Sequence, residues 1–252
     1  MTISFAGLLS VAWRLFRRDA ALILPIAGAL VFLPSFAALL LCEPLPPLPP
    51  SPRDEVVMQA WMQAVTIWAQ GNGIWFLLAE LIGLYGTATI ALLLLDPDRL
   101  TVSQALGQAM VRLVAFALAS MAVAVPVGLG LWLLVLPGLY VQARLIVAIP
   151  AMARHPVLRP LRSLRLSWKM TRGMDRALTG ALVALFLAQW LAVAPLLSAD
   201  ETLRGVAGTA GPGGAAALVL VDALIAAIGA GYTVAVMLIG VVAYRVRASR
   251  GT

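Results

Sequence analysis

The sequence predicts an all-α membrane protein: a polytopic bundle of about six transmembrane helices with amphipathic interfacial helices. Of its 252 residues, 62% are hydrophobic and only 12% are charged, whereas soluble proteins carry about 25% charged residues. The charges form short clusters between apolar runs that approach the ~20 residues needed to cross a bilayer. We therefore expect residues 1–252 to form one integral membrane domain.

Six apolar segments are predicted to span the membrane, at about 20–41, 74–95, 113–136, 138–153, 177–197 and 215–243. Leu136, Pro137 and Gly138 are predicted to form the reversal between the third and fourth spans. The fourth span is short and polar for a span, so we expect it to be tilted or partly re-entrant. We predict that Gly213 and Gly214, before the sixth span, lie in a loop or a tilted helix end.

The distribution of basic residues predicts the orientation. With a cytoplasmic N-terminus, all but three of the 18 basic residues fall on the cytoplasmic side or its interface. The exceptions are Arg53 and Arg204 on the opposite side and Arg144 inside the membrane. We therefore expect a multi-pass protein of a bacterial-type inner membrane with both termini in the cytoplasm.

Four amphipathic stretches are predicted as interfacial helices, at about 3–18, 55–70, 101–112 and 158–176. The first, third and fourth each precede an outward-running span, which suggests a threefold pseudo-repeat of surface helix and hairpin. The second follows a proline-rich segment that favours polyproline conformation. We expect Trp61 and Trp68 to anchor this second helix at the outer interface, with a substrate-capturing lid as the alternative.

The stretch 158–176 is the strongest candidate for a lipid-headgroup site. Its basic residues recur every three or four positions and share one helical face, while Leu161, Leu164 and Trp168 fall largely on another. The basic residues are Arg159, Arg162, Arg165, Lys169, Arg172 and Arg176. We predict that this helix lies on the inner leaflet and binds anionic lipids, with the ordinary positive-inside signal as the alternative interpretation.

Four polar residues within the spans are predicted to form an intramembrane cluster: Glu80, Gln142, Arg144 and Asp222. Ionisable groups are costly in hydrocarbon and usually face the protein interior or a water-filled cavity. We expect Arg144 to pair with Glu80, Asp222 or both. The cluster would form either the floor of a polar cavity or a structural ion pair.

No enzymatic chemistry is indicated by the sequence. It contains one histidine and one cysteine, and no HExxH, GxSxG, CxxC or GxxxxGK motif. We therefore predict no catalytic residues, no cofactor and no metal. The net charge is +7, and the basic residues cluster beside the apolar spans. Anionic membrane lipids are therefore expected as partners and nucleic acid is not. A protein partner and a homo-oligomer stay open.

About 40 residues resemble a known family. The segments are LPGLYVQAR at 136–144, AIP at 148–150 and SLRLSWKMTRG at 163–173. They resemble the membrane domain found with glycerophosphoryl diester phosphodiesterases and the related YciC-like inner-membrane proteins. The resemblance implies a six-span module and no phosphodiesterase activity, since the catalytic domain has no counterpart in the sequence.

Two functions follow as expectations. The first is a non-catalytic membrane protein of envelope or lipid homeostasis that binds anionic lipids or a partner through its basic helices. The alternative is a transporter or channel for a small polar or lipid-derived solute, with a cavity around Arg144, Glu80 and Asp222.

Overall fold

The computed structural model describes residues 4–51, 54–96, 100–155, 157–206 and 211–249, and within these ranges it contains helices and no strands. The all-α prediction is confirmed. The helices are α1 (Phe5–Ala27), α2 (Leu33–Leu41), α3 (Glu55–Leu95), α4 (Val102–Val111), α5 (Leu113–Leu133), α6 (Val135–Leu145), α7 (Ala148–Arg154), α8 (Pro160–Met170), α9 (Asp175–Val206) and α10 (Gly211–Ala248).

Six helical segments are long and apolar enough to cross a bilayer, so the chain is a multi-pass membrane protein. They are Phe5–Leu41, Glu55–Leu95, Leu113–Leu131, Val135–Arg154, Asp175–Gly205 and Gly213–Ala248. The first joins α1 to α2 through the π-helical segment Gly28–Phe32.

The junctions between surface helices and spans have similar geometry. Asp19 interrupts α1 with φ −108° and ψ 15°, and Arg112 separates α4 from α5 with φ −104° and ψ 6°. Between α8 and α9 the chain turns through Gly173, whose φ of 82° suits a residue without a Cβ atom. The two breaks coincide with the boundaries predicted near residues 19 and 112.

The helix contacts repeat three times. Each surface helix touches the second span of the preceding hairpin: α4 lies against α3, α8 against α7, and α1 against α10, which closes the ring. The second spans, which contain α3, α7 and α10, also contact one another. The threefold pattern that the sequence suggests therefore has a structural counterpart in a closed arrangement of three units.

Burial separates an inner set of spans from an outer set. In the most apolar 18-residue stretch of each span, 44%, 56% and 50% of the residues are buried in the second, fourth and sixth spans. The first, third and fifth spans have only 28%, 11% and 11%. The even-numbered spans thus form the core, and the odd-numbered spans present most of their side chains outward.

The predicted interfacial helix at 55–70 is wrong as a separate element, because α3 runs unbroken from Glu55 to Leu95. Its tryptophans bind the proline-rich segment: Trp61 Nε1 donates to the Pro46 carbonyl at 3.2 Å, and Trp68 Nε1 donates to the Glu43 carbonyl at 2.8 Å. Since polyproline backbone has no internal hydrogen bonds, these indole donors satisfy carbonyls that have no partner within their own segment.

The predicted reversal at 136–138 is displaced. The chain turns at Leu134 (φ −161°, ψ 141°), and Pro137 lies in the first turn of α6, where a missing amide hydrogen costs nothing. Gly138 is needed for close packing, because a Cβ atom there would lie 2.5 Å from the Leu131 amide nitrogen. The fourth span then breaks between α6 and α7, at residues 146 and 147.

Two further helix bounds differ from the prediction. The helix predicted at 158–176 ends at Met170, where the turn before α9 begins. The helix α10 begins at Gly211, so Gly213 and Gly214 are helical.

Substitution of Gly240 by alanine is expected to destabilise the inner core. A Cβ atom at Gly240 would lie 2.6 Å from the Ile146 carbonyl oxygen, at the break between α6 and α7. Overpacking of this kind costs about 1–3 kcal/mol, and thermal unfolding in detergent should show a lower Tm. Gly231→Ala is the matched control, because nothing lies within 4 Å of the added atom. Equal Tm values for the two variants would contradict the packing.

Candidate functional site

Two arginines cap inner helices at one end of the bundle. This end, here named the basic end, carries Arg18, Arg112, Arg154, Arg245 and helix α8. Arg245 donates to the Leu94 carbonyl, close to the end of α3. Arg112 donates to the carbonyls of Met152 and Ala153, in the last turn of α7. The last carbonyls of a helix lack intrahelical partners and carry partial negative charge. Arg245 thus caps an inner helix of another unit, whereas Arg112 caps the inner helix of its own unit. Burial lowers the pKa of Arg112.

Arg144 is buried at the junction of α6 and α8. Arg144 is 4% exposed. Its Nη2 donates to the Trp168 carbonyl at 2.7 Å, and its guanidinium carbon lies 4.6 Å from the centroid of the Trp168 ring. Tyr140 meets the same ring edge-on at 6.4 Å. Among the described residues Arg144 has no ion-pair partner, so an aromatic face and a carbonyl stabilise its charge.

The break in the fourth span is satisfied by side chains of α8. Ser167 Oγ donates to the Arg144 carbonyl at 2.9 Å and accepts from the Val147 amide at 3.2 Å. The Thr171 hydroxyl also donates to the Arg144 carbonyl, at 3.3 Å. A broken helix leaves backbone groups without partners, which hydrocarbon does not tolerate. Helix α8 is thus docked into the bundle by a serine and threonine face.

This docking corrects the orientation predicted for the basic helix. Its fully buried residues are Ser163, Ser167 and Thr171, whereas Leu161 is 71% exposed and Trp168 is 38% exposed. The six predicted headgroup-binding residues are all exposed: Arg159, Arg162, Arg165, Lys169, Arg172 and Arg176. The helix therefore presents a cationic stripe and an apolar stripe outward. The face that is buried against the bundle consists of the serines and the threonine.

The predicted ion pairing of Arg144 is wrong. Asp222 is 1% exposed and accepts from Arg204 Nη2 at 3.0 Å, while Arg204 also pairs with Asp200 at 3.0 Å. Arg144 lies nine residues into α6, about 14 Å along the helix towards the basic end. Arg144 and Asp222 therefore have separate partners.

Glu80 and Gln142 are also separated. Gln142 hydrogen-bonds to the Tyr232 hydroxyl. Glu80 is exposed and lines a cavity of about 670 Å³ that Gln142, Arg144 and Asp222 do not line. Gln142 is thus linked to this cavity through Tyr232, which also lines it, whereas Arg144 and Asp222 lie elsewhere. The predicted four-residue cluster does not form.

Sequence reasoning missed the residues that connect the elements. The spacing of Ser163, Ser167 and Thr171, four residues apart, places them on one helical face and could have indicated a docking face. The capping roles of Arg112 and Arg245 have no comparable signal, since their acceptors lie far away in the sequence.

No protein-family model, characterised protein or solved structure matches this chain. The resemblance to the phosphodiesterase-associated membrane domain and the YciC-like proteins thus stays an expectation based on about 40 residues.

Arg144→Lys is expected to destabilise the junction. A lysine can still donate to the Trp168 carbonyl, but it lacks the planar guanidinium that stacks on the indole. A desolvated cation–π contact contributes about 2 kcal/mol, and thermal unfolding should show a lower Tm. Arg154→Lys, at an exposed position, is the control. A Tm for Arg144→Lys equal to that of the control would exclude the stacking contribution.

Proposed function

We propose that this protein is a non-catalytic membrane protein that binds anionic lipid headgroups at its basic end, chiefly through helix α8. A role in envelope or lipid homeostasis follows from this binding. We place the basic end at the cytoplasmic face of a bacterial inner membrane, with both termini cytoplasmic. The observation that carries the proposal is the outward face of α8, where cations with no ion-pair partner among the described residues lie beside exposed apolar side chains.

The three faces of α8 support a position at the boundary between hydrocarbon and water. The serine and threonine face packs against the bundle, which holds the helix at a defined height. Leu161 and Trp168 point outward on one side, while Arg162, Arg165 and Lys169 occupy the adjoining sector. An apolar stripe in the acyl region with cations at the phosphates is the geometry of an interfacial helix.

The positive-inside rule alone does not require this arrangement. It depends on the number of Lys and Arg residues near the ends of spans, and buried arginines that cap helices satisfy it equally well. Arg112 and Arg245 have backbone acceptors, whereas the α8 cations have no hydrogen-bond acceptor among the described side chains. A row of such cations near the surface attracts anionic lipid by about 1 kcal/mol each.

The orientation can be tested by cysteine labelling. In a Cys42→Ala background, we expect Ser51→Cys to react with a membrane-impermeant maleimide in intact cells. Lys169→Cys should react only after the membrane is permeabilised, because α8 would face the cytoplasm. Both positions are exposed, so access depends on sidedness. Labelling of Lys169→Cys in intact cells would refute the orientation.

Charge reversal tests the binding site. Arg162→Glu with Arg165→Glu is expected to weaken phosphatidylglycerol binding at least tenfold, because it removes two attractions of about 1 kcal/mol each and adds repulsion. Native mass spectrometry of the detergent-solubilised protein, titrated with phosphatidylglycerol, measures the Kd. Phosphatidylcholine with the same acyl chains is the lipid control.

The matched variant changes the same net charge on another helix of the basic end. Arg14 and Arg17 are exposed on α1, so Arg14→Glu with Arg17→Glu alters the general electrostatic field without touching α8. We expect a smaller loss of phosphatidylglycerol binding. Equal losses in the two double variants would contradict a specific site on α8, because net charge alone would then account for the binding.

A further inference from the structure

A second binding region lies in the opposite half of the bundle. The cavity of about 670 Å³ is bounded by residues of α2, α3, α5, α9 and α10, and its volume is in the range of small-molecule and cofactor sites. Two of its lining residues, Leu77 on α3 and Met121 on α5, are 55% and 66% exposed. The cavity is therefore open sideways, towards the region that lipid acyl chains occupy.

Its depth follows from the length of α3. Glu80 precedes Leu95, at the basic end of α3, by 15 residues, which corresponds to about 22 Å along the helix. The hydrocarbon layer is about 30 Å thick. Glu80 thus lies within the leaflet that is remote from the basic end, roughly 8 Å from its boundary.

Three polar side chains of this cavity lack partners among the described residues. Glu80, Ser120 and Gln189 all line it, and none of them has a hydrogen bond or ion pair with any described residue. By contrast, the hydroxyls of Ser35 and Thr87 are satisfied by their own helices. Unsatisfied polar groups at this depth are costly unless water or a ligand binds them.

The charge of the cavity selects the ligand. Among the described residues that line it, Glu80 is the single charged group, and the rest of the lining is mainly apolar. A carboxylate in an apolar groove favours a cation that donates hydrogen bonds and carries an apolar chain. An anionic headgroup would be repelled by the same carboxylate.

We propose that this cavity binds one lipid with a primary ammonium headgroup from the leaflet remote from the basic end. The ammonium group donates to the Glu80 carboxylate, with Gln189 and Ser120 available to the remaining polar atoms of the headgroup. One acyl chain lies along the apolar wall that includes Leu77 and Met121. This site is separate from α8 and differs from it in headgroup chemistry.

Native mass spectrometry with phosphatidylethanolamine tests the proposal on the full chain. We expect the wild-type protein to bind it at least tenfold more tightly than phosphatidylcholine with the same chains, whose quaternary ammonium cannot donate. Glu80→Gln should weaken phosphatidylethanolamine binding about tenfold and leave phosphatidylglycerol binding unchanged. Glu201→Gln, an exposed carboxyl on α9 outside this cavity, is the control and should change neither.

A cavity-filling pair provides a test that does not depend on charge. Gly229 lines the cavity, and nothing lies within 4 Å of a Cβ atom built there, so Gly229→Leu should fill the space and abolish phosphatidylethanolamine binding. Gly128→Leu, equally unobstructed but not in this lining, should bind as the wild type does. Wild-type affinity in both Glu80→Gln and Gly229→Leu, or no preference of the wild type for phosphatidylethanolamine, would overturn the proposal.

Discussion

Backbone groups at the end or the break of a helix need hydrogen-bond partners when they are removed from water, and several long-range hydrogen bonds of the bundle meet this need. At three places where an inner helix ends or breaks, a side chain from elsewhere in the sequence supplies a missing partner. Arg245 reaches α3, Arg112 reaches α7, and Ser167 bridges the break between α6 and α7. Arg245 and Ser167 belong to different units from the backbone groups that they bind, so these contacts also fix how the units assemble. Arg112 instead holds together the two spans of its own unit.

The same constraint divides the basic residues into two groups. Arg112, Arg144 and Arg245 bind backbone carbonyls and stabilise the assembly. The cations of α8 point outward, and the described residues provide them with no carboxylate partner. Counting positive charges predicts the end of the bundle at which both groups lie, but it cannot separate them. To assign an arginine to one group or the other, one must know which helix ends, distant in the sequence, place their free carbonyls beside it.

The sequence predicted those features that depend on local composition and periodicity. Apolar runs of membrane length located six spans, and the changes of pattern near Asp19 and Arg112 marked two junctions where the backbone leaves helical geometry. Features that depend on partners distant in the sequence were missed. One such feature is the contact between α3 and the proline-rich segment. The tryptophans of α3 bind carbonyls that lie 15 and 25 residues earlier in the sequence.

The error in the intramembrane cluster has the same origin. The prediction assumed a turn at Pro137 and Gly138 and an unbroken fourth span, whereas the turn occurs at Leu134 and the span is broken. In the structure Asp222 is neutralised by Arg204, and Arg144 is stabilised by Trp168. Glu80 is left as the carboxylate that faces a cavity without a protein cation.

A transport route through the three residues would need them to line one continuous path, and the structure separates their environments. The two proposals instead describe independent headgroup sites of opposite charge at different depths. Cations at the surface of α8 suit a phosphate, which stays hydrated at the interface. A carboxylate set roughly 8 Å inside the hydrocarbon suits an ammonium group whose chain can enter the groove beside it. In the two proposals, asymmetric lipid recognition follows because one set of cations and one carboxylate have no ion-pair partner among the described residues.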